Sequence, residues 1–113
     1  MAVDATNLEM LKEVIGDDLK EILDAYQATL PELLKQIESG IQSKDAAAVQ
    51  LHSHTLKGSS ANIGANDLAD ICFILETEAK KGEVTDQFPE VFERIKAESL
   101  VVEDFVTNFL QSF

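Results

Sequence analysis

His54 lies in the run Asp45-Ala-Ala-Ala-Val-Gln-Leu-His-Ser-His-Thr-Leu-Lys-Gly-Ser-Ser-Ala-Asn-Ile-Gly64, with Lys57 three residues on and Gly58 four. A neutral imidazole nitrogen is nucleophilic near pH 7, and its phosphorylated form needs no buried site. An ammonium at i+3 on a helix neutralises incoming phosphoryl oxygens without acting as acid or base. On a helical wheel of about 100° per residue, Val49, Leu56 and Ile63 gather on the side far from His54, while Ala47 and Ala61 fall within about 20° of it. Gly58 lies about 40° to one side and Lys57 about 60° to the other. A glycine in mid-helix costs ~1 kcal/mol relative to alanine. Here it removes the side chain that would rise beside the ring. The run therefore describes an exposed imidazole on a smooth patch, with one cation beside it and room for another protein's active site.

The other chemistry-bearing residues reduce mostly to structure. His52 falls at the edge of the apolar stripe, about 160° from His54, so the two histidines cannot share a metal ion. No Glu-x-x-His pair occurs, which excludes a di-iron carboxylate bundle, and no metal site is expected. Cys72 fits an apolar stripe and reads as packing rather than as a nucleophile. Ser59 is a supporting candidate for phosphate, although it and Ser60 begin to turn toward the interior. Phe73 and Ile74 lie off the stripe and either form a docking patch or pack under a first helix. No glycine-rich nucleotide loop is present, so the chain is not expected to phosphorylate itself from ATP or to be an ATP-using enzyme.

These residues need helices to position them. Thr6-Asn7-Leu8-Glu9 has the capping-box pattern and Gly16 closes a short helix over roughly 7–15. Asp17 or Asp18 is expected to cap a long helix reaching about Ser39–Gln42, with Leu19, Ile22, Leu23, Tyr26, Leu30, Leu33, Ile37 and Ile41 on one stripe and Pro31 kinking it. Lys44-Asp45 begins a third helix to about Asn62. Asn66 caps a fourth carrying Leu68, Ile71, Cys72, Leu75 and Ala79, with Lys80 and Lys81 in its last turn before Gly82, and a fifth starts near Phe88-Pro89. No segment alternates with period two. Short loops between long helices make neighbours antiparallel, so the fold is all-α: an up-down four-helix bundle with a short N-terminal helix across one end.

The 113 residues fit one domain, 1–113. Against 21 Asp+Glu stand 9 Lys+Arg, a net charge of -12 that repels phosphate backbones and anionic lipid, so neither nucleic acid nor a membrane surface is an expected partner. One cysteine rules out an internal disulfide and fits a reducing compartment; with no long apolar run and no signal-peptide opening, the cytoplasm is the expected location. The opening methionine is read as that of a free-standing chain.

The run His54-Thr-Leu-Lys57-Gly58-Ser59-Ser60-Ala-Asn-Ile-Gly64-Ala65 resembles the His-x-x-Lys-Gly-Ser signature of histidine-containing phosphotransfer (HPt) domains, and the likeness continues through Leu68, Cys72, Leu75-Glu76 and Gly82. It covers roughly residues 15–85 closely. The resemblance implies a carrier in a two-component multistep phosphorelay that accepts a phosphoryl group on His54 from a receiver-domain aspartate and passes it to another receiver. It implies receiver domains and a hybrid sensor histidine kinase as partners, a monomer, no cofactor of its own, and Mg²⁺ supplied by the receiver. A non-catalytic adaptor bundle that binds a receiver or a partner helix is the alternative. Two positions depart from the family pattern. Ser53 stands where members often carry alanine; it sits to the side of the ring and either hydrogen-bonds to it or to solvent, and solvent is the expected partner. Glu76 stands where some members place a glutamine. It is either the acceptor of the ring Nδ1–H, fixing the tautomer and freeing Nε2, or a solvated residue of an acidic face.

Overall fold

Apolar residues recurring every three or four positions from Leu19 to Ile41 dictate one long helix, and the same spacing organises the rest of the chain. The computed structural model describes residues 3–113; Met1 and Ala2, and with them the reading of the opening methionine and the first positions of the 1–113 domain, lie outside the described residues. Five helices follow in order: α1 (Ala5–Ile15), α2 (Asp17–Gln42), α3 (Ala46–Asn62), α4 (Asn66–Ala79) and α5 (Phe88–Leu110). α2 runs unbroken through Pro31. α2 and α4 each pack against both α3 and α5, while the backbones of the diagonal pairs stay apart, so the four long helices form a closed ring around one core. The core between them holds Leu19, Leu30, Leu56, Leu75 and Ile95, all fully buried. No helix among the described residues is long and apolar enough to cross a membrane.

α1 closes the end of the bundle where α2 begins, α3 turns into α4 and α5 finishes. Asp4 N–H donates to the Gly64 carbonyl at 2.9 Å, Val3 and Leu8 are buried, and Lys12 Nζ donates to the Ser112 carbonyl at 3.0 Å. Gly64 is required there. Its φ of +80° is a left-handed conformation, and a Cβ would stand 3.2 Å from the Asp4 Cβ. At the other end, Gly40 lets α2 approach α3 closely; a Cβ on it would meet Val49 Cγ2 at 3.0 Å.

The helix ends differ in places from the sequence expectation. α1 starts at Ala5, capped by Asp4, whose side chain accepts from Asn7 N–H; the Thr6–Glu9 pattern lies inside the helix, because the bond from Asp4 to Gly64 anchors the chain two residues earlier. Gly16, with φ +58°, takes the cap position of α2, and Asp17 and Asp18 fall in its first turn, where they still favour the positive helix end. α3 starts at Ala46 rather than at Lys44-Asp45, with Asp45 as its cap, accepting from Ala48 N–H at 3.1 Å. Ala65, not Asn66, precedes α4, and Lys80 follows its last turn. Ile22 leaves the α2 stripe and is 46% exposed.

Candidate functional site

α3 and α4 are antiparallel, joined by three residues, and their facing side chains form rungs. His54 meets Glu76 on the middle rung. Three residues along each helix, in opposite directions, Lys57 meets Phe73; four residues the other way, Gln50 and Lys80 line the same groove as His54. The groove has a volume of about 340 Å³ and is completed by Ala47 and Leu51. A larger concavity of about 590 Å³ continues it past Gln50 and Lys80 toward Lys44 and Gly82 without reaching His54.

The His54 side chain is 63% exposed, with Nδ1 2.8 Å from Glu76 Oε2. An ionised carboxylate only accepts, so Nδ1–H is the donor and the neutral ring keeps its lone pair on Nε2. Glu76 is not a solvated residue of an acidic face: its side chain is 6% exposed. Its other oxygen, Oε1, lies 2.7 Å from Lys57 Nζ. Burial pushes the Glu76 carboxyl up, but the Lys57 ammonium and the bond from His54 outweigh that and hold it below the usual carboxylate range.

Lys57 does not stand beside the ring as a free solvated cation. It is 27% exposed, paired with Glu76, and its ammonium lies 5.0 Å from the centre of the Phe73 ring. The reason is the register of α3 on α4, which a single helical wheel does not contain. Gly58 is exposed, and a Cβ there would meet nothing within 4 Å, so the space beside the ring is open. Phe73, Ile74 and Leu51 are exposed apolar residues on these two helices; the alternative of burial under α1 does not hold for Phe73 and Ile74.

The serines are sorted by burial. Ser59 is half-buried and donates to the Leu56 carbonyl at 3.2 Å, so its hydroxyl is used within its own helix. Ser60 is buried and shares a 2.9 Å hydrogen bond with the Tyr26 hydroxyl. Ser53, expected from the sequence to face solvent, is instead fully buried, and its Oγ has no hydrogen-bond partner among the described residues. Ala46, Ser53 and Ser60 are spaced by seven and all buried, so α3 presents a row of small side chains to the interior. That spacing was the available signal for Ser53, hidden because serine adds nothing to an apolar pattern. His52 is half-buried at the core edge. Cys72 is fully buried, and burial first, then the charge of Glu76, pushes its thiol up to about 12, which leaves it protonated and unreactive. Among the described residues no cluster of His, Cys, Asp and Glu has the arrangement of a metal site.

The charge pattern singles out the same face. Between Asp45 and Asp67 the chain carries no acidic residue, although 21 occur in 113 positions. α3 itself therefore sets no acidic side chain in the path of an anionic group approaching His54.

Comparison with known proteins agrees with this geometry. The family model described as Hpt domain matches residues 21–111. The chain is 28% identical over 92 residues to the phosphorelay intermediate protein rdeA of Dictyostelium discoideum, covering 79% of this chain and 36% of that protein, so it spans about a third of that relative's length. It is 27% identical over 82 residues to the phosphorelay protein LuxU of Vibrio vulnificus strain YJ016, covering 73% of this chain and 71% of LuxU. The crystal structure of histidine-containing phosphotransfer protein B from Pseudomonas aeruginosa PAO1 superposes with a TM-score of 0.92 at 29% identity, over 99% of this chain and 96% of that one. The HPT domain of a sensor hybrid histidine kinase from Shewanella shares the fold, with a TM-score of 0.82 at 23% identity over 99% of this chain and 96% of that one.

Proposed function

The chain belongs to the Hpt domain family, and from that premise we propose that it is a phosphorelay carrier whose His54 accepts a phosphoryl group from a receiver-domain aspartate and hands it to another receiver. One observation carries the assignment to His54: an exposed imidazole whose Nδ1–H is fixed on a buried carboxylate, which leaves Nε2 as the nucleophile. Nε2 attacks phosphorus, the bond from phosphorus to the aspartyl oxygen breaks, and Nδ1 keeps its proton throughout. Glu76 holds the ring and its tautomer. Lys57 keeps Glu76 charged and sets a positive charge one turn from the ring, where it lowers the repulsion of the incoming phosphoryl oxygens. Gly58 leaves the approach open, and Leu51 and Phe73 offer apolar surface beside it. The reading includes a cytoplasmic monomer that takes its phosphate from receivers and a hybrid sensor histidine kinase rather than from ATP, with Mg²⁺ and the remaining catalytic groups on the receiver.

The test is incubation with a phosphorylated receiver. The parent protein is expected to acquire acid-labile, alkali-stable phosphate, and His54→Gln to acquire none. Receiver binding without any phosphate on the parent would instead establish the adaptor reading.

A further inference from the structure

We propose that Glu76 is a positioning residue for the discharge of phosphorylated His54 as well as for its loading: its carboxylate keeps the proton on Nδ1 of the phosphorylated ring, so that the imidazole departs as a neutral group. The inference deepens the carrier reading and rests on it. In discharge, a carboxylate oxygen of the acceptor attacks phosphorus, the new O–P bond forms, the Nε2–P bond breaks, and its electron pair returns to Nε2. With a proton on Nδ1 the leaving group is neutral imidazole, and no proton moves. Without it the leaving group is imidazolate, a far stronger base and correspondingly slow to leave.

The geometry suits this role in three respects. The contact between Nδ1 and Oε2 is 2.8 Å, short as charge-assisted hydrogen bonds are. The carboxylate is 6% exposed, so bulk water does not screen it from the ring. Its two oxygens are divided, Oε2 to His54 and Oε1 to Lys57, so the counter-ion that keeps Glu76 ionised does not compete with the ring for the same atom. The other titratable groups around it leave the carboxylate as the negative charge facing Nδ1. On α4, Lys80 lines the groove and Cys72 stays neutral; on α2, Tyr26 is buried with its hydroxyl on Ser60; on α5, Glu103 acts on Tyr26. Glutamine at this position would hold the ring through its amide oxygen and contribute no charge. Glu76→Gln therefore separates holding the ring from holding the proton.

The experiment charges the parent, Glu76→Gln and Glu76→Asp from one phosphorylated receiver, then follows discharge to a second receiver from mildly acidic to alkaline pH. In parallel it follows hydrolysis without a receiver and the ¹⁵N signal of Nδ1 in the phosphorylated proteins. All variants meet the same receiver, so its own titration cancels in the comparison. The expected result is that in the glutamine variant the alkaline fall of both rates, and the loss of the Nδ1 proton, begin about one pH unit lower. Discharge at the alkaline side is then about tenfold slower than in the parent, and on the acid side the two agree. The aspartate variant, which keeps the charge, keeps the parent's profile at reduced rate. A glutamine variant whose pH profile and Nδ1 titration superpose on the parent's overturns the inference and leaves the carrier reading standing. Absence of phosphohistidine on the parent overturns both.

Discussion

Two lysine–glutamate pairs of nearly equal length lie on different parts of the bundle. Lys57 and Glu76 meet at 2.7 Å in the α3/α4 seam, Lys96 and Glu93 at 2.9 Å on the outer face of α5. In the seam the carboxylate is 6% exposed; on α5 the glutamate is 69% exposed. A carboxylate taken out of water needs its partners, whereas a solvated one exchanges them for water at little cost. The seam pair also reaches a third group, His54, while the α5 pair is a neighbouring-turn contact within one helix. Distance alone therefore says little about an ion pair; burial and the next partner decide whether it matters.

The largest expected effect lies within the seam. His54→Gln should abolish phosphoryl acceptance with unchanged helicity by circular dichroism, and His52→Gln, two residues away, should retain it. Transfer surviving in the His54 variant would remove the nucleophile from the seam and break the comparison at its centre.

Lys57→Ala comes next. It is expected to slow transfer by roughly ten- to a hundredfold, since each 1.36 kcal/mol is about tenfold in rate. It should also destabilise the fold by about 2 kcal/mol, less than the ~3–5 of breaking a fully buried pair because the lysine keeps some exposure. Lys96→Ala should do neither. Urea melts and transfer rates on both variants check this, and equal behaviour of the two would show that burial makes no difference here.

The same contrast has a pH signature. Glu76 is held below the ordinary carboxylate range when folded, so its contribution to stability is present above about pH 4.3 and is lost as pH falls through the lower folded value. Acid titrations should show this loss in the parent and in Lys96→Ala, and a smaller one in Lys57→Ala.

Gly58→Gln should be neutral in stability or gain up to ~1 kcal/mol by helix propensity, yet slow transfer severalfold by placing a side chain in the open space beside the ring. Transfer at the parent rate would show that the face need not be clear. The smallest effect is that of Ser53→Ala. Removing a buried hydroxyl with no partner should raise stability by about 1 kcal/mol and leave transfer unchanged, which thermal melts will show.

Much of the molecule was legible in the sequence because period and punctuation are local properties. The five helices, the long α2 through Pro31 and the exposed His54 all follow from spacing within single helices. What was not legible depends on how one helix slides along another. The wheel placed Lys57 beside His54 but could not reveal that both reach the same carboxylate 22 and 19 positions on. The α1 start was misread for a similar reason: Thr6 and Asp4 are both good capping residues, and the tie is broken by a bond to Gly64, sixty residues away.

The three-residue connection from α3 to α4 bears on how the protein comes to be folded. All the groups of the site belong to one helical hairpin, α3 and α4 with the Lys80 that caps it, and contacts close in sequence form early because little loop entropy opposes them. His54 and Glu76 are thus expected to find each other before α5 completes the ring. Substitutions along α5 would then shorten the lifetime of the native state and leave intact the chemistry of each molecule that remains folded.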